Sequence, residues 1–240
     1  MSNHPGKELI QWARSLPPPL QLPISSTRTT NFNRDVHQLH LPYLAVIIVL
    51  HLKRSDSSLP SASSTAILAA TCIARIFKDI LIRGGTRFLM AINCWYCATA
   101  FIALSQASRI SNLMVDAKEE LELLHITIKE LQKMWGTAKI FEQGFQRLRS
   151  GIHNVEVGDL HLERATNGNV HGSHKEDSDM NWLEYFPFVT AETSPIARTL
   201  LAEEGREHYF FADFTDDFMN LRYPDLFDTF DDLISHQVPG

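Results

Sequence analysis

Residues 88–104 read FLMAINCWYCATAFIAL, a run with no charged side chain and with only Asn93 and Thr99 strongly polar. How this run is read decides the fold. Its length sits at the lower edge of the roughly 17–25 apolar residues that span a bilayer. A helix apolar on all sides is also what the centre of an all-helical domain requires. The chain around it has 240 residues, 44% hydrophobic and 21% charged, which is ordinary soluble composition and excludes a wholly disordered chain. The other apolar run, residues 41–52, is shorter and carries His51. The expectation is therefore a buried central helix in an all-α domain, with no membrane partner.

Upstream of that run the helical signal is clear. Ala66, Ala69, Ala70, Ile73, Ala74, Phe77, Ile80 and Leu81 recur at three- and four-residue steps, one face of an amphipathic helix. Gly84-Gly85 is its stop. Residues 53–64 (KRSDSSLPSASS) read as a polar, serine-rich loop. Residues 36–52 form a helix candidate whose Ile47-Ile48-Val49 trio equally suits a buried strand. At the start, a short helix over 8–15 stops at Leu16-Pro17-Pro18-Pro19, because each proline disfavours helix in the residue before it.

Downstream, Ser111 or Asn112 is placed to cap a helix with Asp116, Glu119 and Glu120 near its positive end. In it Ala117, Leu121, Leu124, Ile128, Leu131, Trp135 and Ala138 alternate steps of four and three. This row is either a dimer seam within 113–149 or the core-facing stripe of one helix. Gly136 and the bulk of Trp135 favour the core stripe. Residues 151–181 lack periodicity and read as a flexible linker.

Charge divides the chain. Residues 1–150 hold 17 Lys and Arg against 10 Asp and Glu, a balance of +7, whereas residues 151–240 hold 5 against 18, a balance of −13. The acidic part ends in a patterned segment. Residues 207–240 carry eight aromatics and eight acids against one base, Arg222. On a helix, Leu226, Phe227, Phe230, Leu233 and Ile234 share one face, while Asp225, Asp228, Asp231 and Asp232 mostly occupy the others. Phe210, Phe211, Phe214 and Phe218 repeat the device, with Asp213, Asp216 and Asp217 between them. Charge keeps such aromatics in water until a partner's groove takes the apolar face. These nine apolar residues are the candidate partner-binding site, and a coactivator or transcription-machinery protein is the expected partner. Docking on the chain's own basic body uses the same logic.

Catalytic and metal signatures are weak. Cys94-Trp-Tyr-Cys97 lies in apolar sequence with no second pair and no charge to stabilise a thiolate, so Cys72, Cys94 and Cys97 read as buried and inert. His37-x-x-His40 and His171-x-x-His174 lack the third and fourth ligands that zinc needs. There is no phosphate-cradling glycine loop, no Gly-x-Ser-x-Gly elbow and no basic stripe able to neutralise several phosphates. The chain is expected to be neither an enzyme nor, by itself, a DNA reader. The absence of a sequon and of an apolar signal core points to an intracellular compartment.

One resemblance organises these elements. Trp12-x-x-x-Leu16-Pro17 is followed by Val36-His37-Gln38-Leu39-His40-Leu41-x-Tyr43, which leads into the apolar run ending at Leu50-His51. Then come Ala69-Ala70-Thr71-Cys72-Ile73-Ala74, the apolar helix around Trp95, and Ala117-x-x-x-Leu121-x-x-Leu124 with Trp135-x-x-Ala138. In order and spacing, residues 8–150 resemble the C-terminal part of the middle homology region of fungal binuclear zinc-cluster transcription factors. The resemblance implies an all-α regulatory domain over 1–150, a nuclear location and a role in transcription. It departs from the family pattern at Lys53-Arg54-Ser55, where members commonly carry an Arg-Pro pair. The family's six-cysteine, two-zinc DNA-binding module has no counterpart here, so no cofactor is expected in this chain, and DNA binding requires an upstream module. The organisation expected is thus a regulatory domain over 1–150, a linker over 151–181 and an activation-type, largely disordered tail over 182–240. The alternatives are a truncated co-regulator or dimer partner without DNA binding of its own and, behind it, a small helical membrane protein resting on residues 88–104.

Overall fold

In the computed structural model, residues 5–53, 61–156 and 181–202 are described. They build an all-α domain of helices α1 (Pro5–Ser15), α2 (Arg34–His51), α3 (Ser64–Ile82), α4 (Asn93–Ala107), α5 (Met114–Gln132), α6 (Ala138–Glu156) and α7 (Pro195–Ala202). A two-residue antiparallel ladder, β1 (Leu52–Lys53) with β2 (Ser61–Ala62), closes the connection between α2 and α3. It brackets residues 54–60, which lie outside the described residues.

Helix α3 is the axis of the domain. It packs against α2, α4, α5 and α7, and 16 of its 19 residues are buried. The expected amphipathic face is thus only part of what it buries, because neighbours cover it on nearly every side. Ser63 starts it by accepting a hydrogen bond from the Ala66 amide. Gly84, at φ 65°, ends it. Its amide donates to the Leu81 carbonyl and that of Gly85 to the Ile80 carbonyl, both at 2.9 Å, the paired return bonds of a left-handed helix cap.

Residues 47–49 are helical, which settles the strand alternative. Asn33 starts α2 by accepting from the amides of Asp35 and Val36. Pro42 lies inside α2 and deprives the Gln38 carbonyl of its helical donor. The ring sits on the exposed side, so water can take that donor's place. The helix continues because its other face carries Leu41, Leu44, Ala45, Ile47 and Ile48 into the core.

The apolar run divides. Its first five residues are not in α4: a 3₁₀ turn (Thr86–Phe88) and a tight turn precede Asn93. Phe88, Met90 and Ile92 are exposed. The remaining helix has 15 residues, 13 of them buried. Among the described residues no helix is long and apolar enough to cross a membrane. Thr99 and Ser105 satisfy their hydroxyls on the carbonyls of Trp95 and Phe101 one turn back.

Helix α5 begins at Met114 after Leu113, with no side-chain cap, so neither Ser111 nor Asn112 has the expected role. Its core row holds, with Ala117, Leu121, Leu124, Ile128 and Leu131 all buried in the chain's own interior. The heptad pattern stops there. Trp135 sits in the turn between α5 and α6 and donates its indole N–H to the Leu89 carbonyl at 2.9 Å, while Ala138 opens α6. The row is therefore a core stripe, and any dimer through 113–149 would have to use another face. Helix α6 continues to Glu156, six residues into the stretch expected to be linker, and its Phe145 stacks on Phe101 of α4 with ring centroids 3.8 Å apart.

Residues 181–202 form a strap across the helices. Trp182, Tyr185, Phe186, Phe188, Ile196, Ala197 and Leu200 are buried, so the opening of the expected tail belongs to the fold. The Tyr43 hydroxyl donates to the Tyr185 carbonyl at 2.7 Å, and the Thr193 hydroxyl to the Ile24 carbonyl at 2.9 Å. Phe77 at the centre of α3 is fully buried. Phe77→Ala is expected to lower stability in urea unfolding by about 3–5 kcal/mol. Ile82→Ala, at a residue 71% exposed, should change it by less than about 0.5 kcal/mol.

Candidate functional site

Two carboxylates on the buried side of α3 and α5 organise the polar chemistry of the domain. The first is Asp79. It accepts from the Thr29 hydroxyl at 2.5 Å, from Arg75 Nε at 3.3 Å and from Arg83 Nη1 at 3.2 Å, with His37 Nε2 at 3.7 Å. Burial alone would raise its pKa. The neighbouring His37, the hydrogen bond from Thr29 and the charge of Arg75 outweigh that, and hold the carboxyl far below the usual range. Arg75 also donates to the carbonyls of Ser26 and Thr193, each at 3.0 Å. One ion pair therefore ties the loop after α1, helix α3 and the strap together.

The second is Glu120, three residues after Ala117 and four before Leu124, which puts an acid on the buried stripe of α5. Its Oε1 accepts from the Thr71 hydroxyl of α3. The Thr71 hydroxyl oxygen also lies 3.0 Å from Ser194 Oγ on the strap. Ser194 in turn caps α7 by accepting from the Ala197 amide at 3.0 Å, with Pro195 as the first helical residue, where its missing N–H costs nothing. Glu120 Oε2 is buried and has no hydrogen-bond partner. Burial is the main reason its pKa is raised to about 7, with the charge of Asp116 adding to the effect. The hydrogen bond from Thr71, the nearby Ser194 hydroxyl and the charge of Lys78 oppose it.

A cleft of about 310 Å³ opens beside Glu120, between α3, α5 and the strap. Arg75, Lys78, Asp116, Glu119, Glu192 and Arg198 are among its lining residues. Lys78, Glu119, Glu192 and Arg198 are exposed at its rim. Neither Lys78 nor Arg198 is in an ion pair among the described residues.

A second surface is apolar. Ile82, Phe88, Met90 and Ile92 are exposed at the corner between α3 and α4. The Arg34 and Arg87 guanidinium carbons lie 4.5 and 4.8 Å from the Phe88 ring centroid, so the corner is cationic as well as apolar.

The residues singled out from sequence fall in different places. Phe210, Phe211, Phe214, Phe218, Leu226, Phe227, Phe230, Leu233 and Ile234 lie outside the described residues, as do His171 and His174. His37 and His40 do not converge on a common ligand. His37 faces Asp79, and His40 Nε2 lies 2.9 Å from the Leu20 carbonyl oxygen. Among the described residues no group of three or more His, Cys, Asp or Glu is arranged to hold a metal ion. The three cysteines are buried and unbridged, and burial raises each thiol pKa, that of Cys94 to about 11, which suits inert packing. The cleft itself escaped sequence reading, although an acid on the core stripe of α5 was its visible sign. No protein-family model, curated protein or solved structure matches the chain.

Glu120 gives the fold a pH dependence of definite sign. Its folded pKa of about 7 lies above the ordinary 4.5, so the folded state favours the protonated acid. That contribution is complete below 4.5 and is lost as pH rises toward 7. Glu120→Gln should therefore raise the thermal midpoint at about pH 8 and leave it nearly unchanged at about pH 4. Parallel melts of the two proteins check this.

Proposed function

We propose that this chain is a nuclear transcription regulator that acts through protein contacts, with an all-α body as platform and the acidic aromatic C-terminal segment as effector. The observation that carries the reading is the strap. Residues 181–202 are fixed to α2, α3 and the loop after α1 by Tyr43, Arg75 and Thr193. The chain then passes directly into the segment where aromatics and acids alternate. A fixed point of departure for such a segment suits capture of its apolar face by a partner's groove. The resemblance of residues 8–150 to the regulatory region of zinc-cluster transcription factors supports the same reading. Coactivators or components of the transcription machinery are the partners this implies.

A second reading is that the chain serves as co-regulator or dimer partner of a separate DNA-bound factor. It draws on the apolar, cationic corner of Ile82, Phe88, Met90 and Ile92, where four large side chains are exposed together. Large apolar side chains left exposed at one corner of a fold are the kind of feature that contact surfaces use.

The test is a reporter assay with residues 203–240 fused to an unrelated DNA-binding domain. Activation is expected, and changing Phe227, Phe230 and Leu233 together to alanine should remove most of it, because the apolar face carries the contact. A fusion that activates nothing overturns the activator reading and leaves the partner reading. In that case Phe88→Glu should release the chain from its complex in a pull-down from nuclear extract.

A further inference from the structure

We propose that the cleft between α3, α5 and the strap binds a small zwitterion of the amino-acid class, its ammonium group on Glu120 and its carboxylate between Lys78 and Arg198. The first ground is the unpartnered oxygen. Glu120 Oε2 is shielded from solvent and accepts no hydrogen bond, and an unmet buried acceptor costs about 1–3 kcal/mol. Glu120 is itself one of the cleft's lining residues, so a rotation of its side chain brings that oxygen to a donor held there. Asp116 and Glu119, one turn away or adjacent on α5, add negative charge on the same side, which favours an ammonium over a neutral hydroxyl donor.

The second ground is the charge inventory of the walls. Arg75 is committed to Asp79, Thr29, Ser26 and Thr193. Lys78 and Arg198 line the cleft and, among the described residues, have no ion-pair partner. Lys78 reaches the cleft from α3 and Arg198 from α7, so an anionic group held by both bridges the body and the strap. Free acceptor at one wall and free cations at the others match a ligand carrying both signs. The third ground is size. At about 310 Å³ the cleft is at the lower end of the roughly 300–1,000 Å³ of small-molecule sites, which suits a free amino acid and not a nucleotide.

Binding has a protonic signature. Below neutrality Glu120 is largely protonated, since its pKa is raised to about 7. An ammonium group selects the ionised form, so the ligand should expel a proton on binding. The contact also joins α5 to the strap that leads into the acidic segment, yet it depends in no way on what that segment does. A failed reporter assay therefore leaves this site untouched.

The experiment is isothermal titration calorimetry of the full chain with each standard amino acid at about pH 6, in two buffers of different ionisation enthalpy. At least one should bind with a Kd below about 1 mM. Its decarboxylated amine and its deaminated hydroxy acid should each bind at least about tenfold more weakly. Glu120→Gln is expected to abolish proton release and the preference for the amine, and Arg198→Ala the preference for the carboxylate. Thermal melts establish that both variants are folded. The proposal is overturned if no amino acid binds at about 10 mM. It is equally overturned if the amine alone binds as well as the amino acid, or if both variants bind like the parent chain.

Discussion

The domain depends on a buried charge. Asp79 stands on a helix otherwise apolar on nearly every side, and an ionised carboxylate there is tolerable only with its lone pairs occupied and a cation beside it. Thr29, Arg75, Arg83 and His37 meet that requirement from three separate pieces of chain. Meeting it fixes the geometry of those pieces. Arg75 can reach Asp79 from one turn away only by lying along α3, and in that pose its other nitrogens face the carbonyls of Ser26 and Thr193. The loop after α1 has little regular structure, and it is held in place by serving as acceptor for that guanidinium. The strap is held partly by the same atoms. An apolar core would pull these segments inward without assigning a register, whereas a directional charged pair assigns one.

Some of this architecture was legible in the sequence, and the boundary of legibility is physical. Periodicity reports which residues of a helix are buried, so the stripe of α5 from Ala117 to Leu131 and the apolar steps of α3 could be read directly. Periodicity does not report where a neighbouring turn interrupts it. The row through Trp135 and Ala138 continues the heptad count across a break, because Trp135 leaves the helix to bond the Leu89 carbonyl. Likewise residues 88–92 are as apolar as α4 but stay outside it, since the capped end of α3 at Gly84 leaves a corner to turn before a new helix can begin. The strap was hidden for another reason. Its aromatics resemble those of the acidic segment downstream in composition, and composition alone does not say which rings a core takes in.

The cleft was the least legible feature because it is made by difference. Thr71, Arg75 and Lys78 follow one another along α3 at steps of four and three, which places them on a single face. That face carries the polar groups of an otherwise apolar helix toward α5 and the strap. At one end of it Asp79 meets a full set of donors, and its pKa falls; at the other Glu120 meets a hydroxyl at one oxygen and nothing at the second, and its pKa rises. Asp79 belongs to α3 and Glu120 packs against it from α5, and what sets the two acids apart is compensation. A carboxylate engaged at both oxygens by donors of its own chain, as Asp79 is, serves the fold. A carboxylate left partly unmet beside a cleft costs the fold stability as it ionises, and that cost is recoverable only by a donor from outside. The same strap carries Thr193, which accepts from the compensated network, and Ser194, which contacts the uncompensated one. The compensated and the uncompensated acid therefore meet the strap at two consecutive residues, so the strap is a segment that both of them touch through their partners.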